Sequence, residues 1–107
     1  MAKTYPKRDP NRRPTHPGEM LREMVIPYLV EEKGLTKTAI AKGLGMSRNQ
    51  LYQILAEKQA VTPETAVKLA AAFGGSARSW LDMQSACDLW DAERTVDVRS
   101  AKKLRAA

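Results

Sequence analysis

"GLGMSRNQLYQIL", residues 43–55, decides the fold. Gly45 supplies the positive φ that a tight exit from a helix demands. Ser47 opens the next helix, and with Gln50 three residues later it forms an SxxQ capping box. Leu51, Ile54 and Leu55 recur at helical spacing and anchor that helix, which ends near Ala56. Arg48, Asn49, Tyr52 and Gln53 fall on the opposite side. A short helix with more hydrogen-bonding groups than packing groups is built to be presented to something.

Upstream, Thr36 is a plausible N-cap for a helix over residues 37–44 with Ile40, Ala41 and Leu44 on its inner face. Before it, Pro17 suits a first helical turn, with Thr15 or His16 as cap and Glu19 near the positive end of the dipole. Leu21, Met24, Val25, Tyr28 and Leu29 repeat at three and four, predicting the inner stripe of helix one. Pro27 removes the bond to the Glu23 carbonyl, so this helix kinks there or stops and is followed by a short second turn ending at Gly34. Downstream, Thr62, Pro63 and Glu64 start a helix over 63–73 that turns Ala66, Leu69, Ala70 and Phe73 inward and stops at Gly74. Ser76 caps a last helix over about residues 77–93. No strand pattern, internal repeat or Gly-rich phosphate loop is present. The expected class is all-α, with five helices.

Two helices of about eight residues joined at Gly45 have the dimensions of a helix-turn-helix. Ala41 stands where the two helices must approach closely, and Ile40, Leu44, Leu51 and Ile54 make the miniature core that fixes their crossing. In such a motif the first turns of the second helix face base edges in the major groove. Arg48 can pair bidentately with guanine O6 and N7, and Asn49 or Gln53 with adenine N6 and N7. Tyr52 shares that face. Ser47, Lys37, Thr38 and Lys58 suit phosphate oxygens, which hold register without reading sequence. Gln50 is contested, because a capping box turns its side chain back toward Ser47.

The chain has 107 residues, enough for one small domain, with 43% hydrophobic and 28% charged residues. Its net charge of +6 is unevenly placed. Residues 1–15 hold Lys3, Lys7, Arg8, Arg12 and Arg13 against Asp9, and residues 95–107 hold Arg99, Lys102, Lys103 and Arg105 against Asp97. Lys33, Lys37, Lys42, Arg48 and Lys58 against Glu57 make the third basic region. Focused positive charge suits a polyanion. The expected layout is a flexible basic arm at 1–15, a helix-turn-helix domain at 16–94 and a basic tail at 95–107. With no secretory signal and no apolar run near the ~20 residues of a membrane span, a cytoplasmic protein is expected.

His16 is the only histidine and Cys87 the only cysteine, so neither a catalytic triad nor a cysteine-based metal site can be assembled. Neither an enzyme nor a cofactor is expected. Glu19 and Glu23 read as a solvated helix face, and Cys87 as a small buried residue. Trp80, Met83, Cys87 and Trp90 recur along the last helix. Either one Trp joins Met83 in a dimer seam, or both cover helices one and four.

The strings "HPGEMLREM" (16–24), "AIAKGLGMSRNQLYQIL" and "TPETAVKLAAAFGGSARSWLDMQSACDLWDA" resemble the HigA-type, or VapI-like, antitoxins within the lambda-repressor-like helix-turn-helix proteins, over about three quarters of the chain. "PYLVEEKGLT" looks several residues longer than the family pattern, and both basic ends lie outside the shared region. The resemblance implies a five-helix domain that forms a homodimer, neutralises a RelE-like messenger-RNA-cleaving HigB toxin and represses its own operon. It places the DNA-facing positions on Lys37, Thr38, Ser47, Arg48, Asn49, Tyr52 and Gln53. Two alternatives stay open: a free-standing repressor of the same fold, and a module that holds an acidic protein partner.

Overall fold

The structure is a computed structural model, and it describes residues 11–107. Helix α1 (Pro17–Met20) runs through a π-helical turn (Leu21–Val25) into α2 (Ile26–Lys33), making one continuous rod. Then come α3 (Lys37–Gly43), α4 (Arg48–Leu55), α5 (Pro63–Phe73), α6 (Ala77–Thr95) and α7 (Arg99–Ala106). Counting the rod once, the described residues hold six helices, one more than the sequence predicts. The addition is α7, formed by residues assigned to the basic tail; none of its side chains is buried.

Each helix start has a local chemical cause. His16 Nδ1 accepts from the Gly18 N–H at 2.9 Å, and the hydroxyls of Thr36, Ser47, Thr62 and Ser76 accept from the backbone three residues on. The capping box closes at Ser76 and Ser79, where each side chain takes the other's N–H. At Ser47 only the first half forms, the Gln50 N–H donating to Ser47 Oγ at 3.0 Å. Gln50 therefore keeps its side-chain amide, which removes the conflict seen in the sequence.

Helix one corrects the sequence reading. The Ile26 N–H bonds to the Leu21 carbonyl, five residues back, because Pro27 has no N–H and its ring crowds the preceding turn. The extra residue rotates everything beyond it. Leu21 and Ile26 become the buried pair, Val25 and Leu29 are half-buried, and Met24 and Tyr28, expected inward, stand 66% and 51% exposed. The rod neither breaks nor stops at Pro27; it ends where Gly34 takes φ 67°.

Leu21, Ile26, Ile40, Ala41, Leu44, Leu51, Ile54, Leu55, Val61, Ala66, Leu69 and Trp80 form one core. α5 packs along α6, α3 against α4, and the start of α1 against α4 and α6. Met83 packs on the core and Trp80 lies within it, its Nε1 donating to the Gly74 carbonyl at 3.2 Å. Trp90 is half-buried under the Arg94 guanidinium, 3.5 Å from its ring centroid. Cys87 is fully buried, its thiol donating to the Pro14 carbonyl. Gln84, also buried, accepts the Val61 N–H at 2.9 Å and donates to Asp88.

Candidate nucleic-acid interface

The turn between α3 and α4 is shaped by backbone bonds. Gly45 takes φ 66°, its N–H returns to the Lys42 carbonyl, and the Met46 N–H returns to Ala41. Lys68 on α5 reaches across to the Gly45 carbonyl at 3.4 Å while pairing with Glu64. Ala41, nearly inaccessible, lies between the two helices as close packing requires.

On this base α4 divides cleanly. Leu51, Ile54 and Leu55 are buried, whereas Ser47, Arg48, Asn49 and Tyr52 are exposed and Gln50 and Gln53 are half-exposed. Lys37 and Thr38, at the start of α3, and Lys58, past the end of α4, are exposed as well. All nine residues singled out from the sequence can thus be reached from solvent. The side chains of Asn49, Gln50 and Gln53 make no hydrogen bond among the described residues, leaving amide donors and acceptors free for a base edge. Arg48 and Tyr52 are engaged: Arg48 Nη2 donates to Tyr52 Oη at 3.5 Å, and Lys37 Nζ lies 5.6 Å from the Tyr52 ring centroid. The bonded guanidinium, with Lys37 beside it, holds the Tyr52 phenol below its ordinary pKa of 10.0.

The far end of α4 is clamped from behind. Arg22 Nη1 donates to the Leu55 carbonyl at 2.7 Å and reaches Glu57 at 3.4 Å; Arg13 bonds Glu57 at 3.1 Å and grips both oxygens of Asp91 on α6. Glu57 holds φ 62°, which lets the chain leave α4 sharply.

Known proteins share this arrangement of helices. A family model described as helix-turn-helix matches residues 28–80. Virulence-associated protein I of Dichelobacter nodosus is 46% identical over 79 residues, spanning 74% of this chain and 69% of the relative. Antitoxin HigA-1 of Vibrio cholerae is 39% identical over 84 residues, spanning 78% and 75%. The chain belongs to the HigA-type helix-turn-helix antitoxin family. A solved structure of the Pseudomonas aeruginosa antitoxin HigA with the higBA promoter superposes with a TM-score of 0.62 at 28% identity, covering 79% of this chain and 97% of that one.

In this HigA-type chain, what sequence reading missed is the support of the reading helix. Of residues 1–15, positions 1–10 lie outside the described residues, while Arg13 and Pro14 are tied to α6. Arg13, Arg22 and Glu57 meet from positions up to 44 residues apart, Arg13 also reaches Asp91 78 residues on, and no local pattern announces that. Gly18 had a signal, the string "HPGE", because a Cβ there would collide with the Ile54 carbonyl. Among the described residues no helix is long and apolar enough to cross a membrane, and no group of His, Cys, Asp or Glu could hold a metal ion.

Proposed function

We propose that this chain is an operator-binding antitoxin: as a homodimer it places α4 in successive major grooves of its own promoter and represses that operon, and it neutralises a HigB-type messenger-RNA-cleaving toxin. Residues 16–94 act as the DNA-reading body in the cytoplasm, with basic segments at 1–15 and 95–107. Asn49, Gln50 and Gln53 are the base-facing side chains, and Lys37, Thr38, Ser47 and Lys58 set the register on phosphates. Arg48 and Tyr52 stand between the two groups.

The observation that carries this reading is the division of α4, a helix of eight residues that buries three aliphatics and gives the rest of its surface to three amides without a hydrogen bond, Arg48 and Tyr52. A catalytic or purely structural role gives no reason for that expenditure. The structure of a similar antitoxin with promoter DNA supports the same use of the motif.

The decisive experiment titrates the full chain with the duplex upstream of its own gene and with a shuffled duplex, at several salt concentrations. Preference for the native duplex at every salt is expected; equal binding to both rejects DNA reading. Co-expression with the product of an adjacent reading frame for a small HigB-type toxin tests the other half. A stable complex and rescued growth are expected, and their absence beside intact operator binding leaves a free-standing repressor.

A further inference from the structure

Lys37 and Arg48 occupy the first position of two successive helices, and both side chains are drawn to one ring. The Arg48 guanidinium carbon lies 5.7 Å from the Tyr52 ring centroid and Lys37 Nζ lies 5.6 Å from it. Among the described residues no carboxylate pairs with either cation, nor with Lys42, Lys58 or Arg94, but Tyr52 is the one ring in that set on which two cations converge. Two like charges held beside one ring repel, and an exposed aromatic face compensates only weakly. What the arrangement lacks is an anion. Tyr52 Oη accepts from Arg48 and so keeps its own hydrogen to donate. A guanidinium, an ammonium and a phenol hydroxyl converging from two helices is a donor set for a phosphate oxygen.

The same contacts bear on what Arg48 reads. Bonded to the residue four positions on, its side chain lies along α4. Asn49, Gln50 and Gln53 carry no such engagement. We propose that Lys37, Arg48 and Tyr52 form a clamp for one backbone phosphodiester of duplex DNA, so that Arg48 holds a phosphate instead of reading a guanine, and Tyr52 is the positioning residue for both cations. The clamp rests on the DNA-binding reading above and reassigns one residue within it.

The test uses the full chain, its native promoter duplex and a panel of single-base-pair variants of that duplex. Lys37→Ala and Arg48→Ala should each lower affinity by the same factor across the panel and flatten the slope of log K against log salt by about one unit. Tyr52→Ala should reduce the slope too, and adding it to the double mutant Lys37→Ala/Arg48→Ala should leave the slope unchanged, since the neutral phenol affects it only by positioning those two cations. Asn49→Ala and Gln53→Ala should change base preference and leave the slope alone. One neutral methylphosphonate in the duplex should erase the difference between wild type and Arg48→Ala. If Arg48→Ala instead relaxes the choice at a single base pair with the slope unchanged, or if no methylphosphonate position erases its effect, the clamp is wrong. Loss of all preference for the promoter by the wild-type chain is a separate result, and it removes the DNA reading itself.

Discussion

The carbonyl of Ile54, near the end of the reading helix, occupies the space that a Cβ on Gly18 would need. This close approach seats α1 against α4, and it reverses an ordinary expectation. Gly→Ala within a helix normally stabilises by about 0.5–1 kcal/mol, because glycine loses more backbone freedom on folding. At Gly18 the added methyl meets backbone, which cannot swing aside, so Gly18→Ala should destabilise by about 1–3 kcal/mol. Gly43, the last residue of α3, has nothing within 4 Å of its would-be Cβ, and Gly43→Ala should show the normal gain. Denaturant midpoints of the two variants should move in opposite directions. A stabilised Gly18→Ala would show that the α1–α4 seat is looser than drawn.

His16 caps α1 through an unprotonated Nδ1, which accepts the Gly18 N–H in a buried setting. Burial holds the imidazole below its ordinary value of 6.5, against the opposing pull of Glu57. The unfolded chain takes up a proton near 6.5, whereas the folded one resists until lower pH. The unfolded state therefore binds more protons in that window, and stability falls as pH drops through it. Thermal melts should show a declining Tm from about pH 7.5 to 5.5. His16→Asn keeps a cap acceptor that cannot titrate in this range, so its curve should be flatter there even with a lower Tm throughout. An unaltered slope in the variant assigns the effect to other groups.

Gln84 is buried on α6, and its Oε1 receives the buried Val61 N–H. Gln84→Leu fits the volume but leaves that donor unpaired, at a cost of about 1–3 kcal/mol. The loss should be accompanied by faster hydrogen exchange at the Val61 amide. Destabilisation without that local change points to a packing defect.

Most of the helical frame is legible in the sequence because its signals are local. Ser47, Thr62 and Ser76 cap helices through bonds to the backbone three residues on, and Gly45 needs its conformation wherever the fold puts it. Helix one is harder. A period of 3.6 selects Leu21 correctly but also Met24 and Tyr28, and only the five-residue bond at Ile26 reveals that Pro27 shifts the inward register to Ile26. The exposed face of α4 is equally readable from spacing, but the conformation of its side chains is not. Arg48 has the chemistry of a guanine reader, and nothing in the spacing announces that Tyr52 and Lys37 gather around it. Arg13 reads as part of a solvated arm, since its partners Glu57 and Asp91 lie 44 and 78 residues away.

Spacing between half-sites tests the dimer. An eight-residue helix is only about 12 Å long and meets a few base pairs, so selective binding calls for two copies of α4 about 34–36 Å apart on a palindrome. Inserting five base pairs between the footprinted half-sites turns the second to the opposite side of the duplex. The second α4 then no longer reaches its bases, and forfeiting two amide–base pairings at about 1–3 kcal/mol each should lower affinity roughly 30-fold or more. Ten inserted base pairs restore the facing but stretch the distance, so a rigid dimer should recover little. Two independent monomers would tolerate both insertions equally, and an affinity indifferent to spacing would end the dimer reading while leaving single-site DNA recognition by α4 intact.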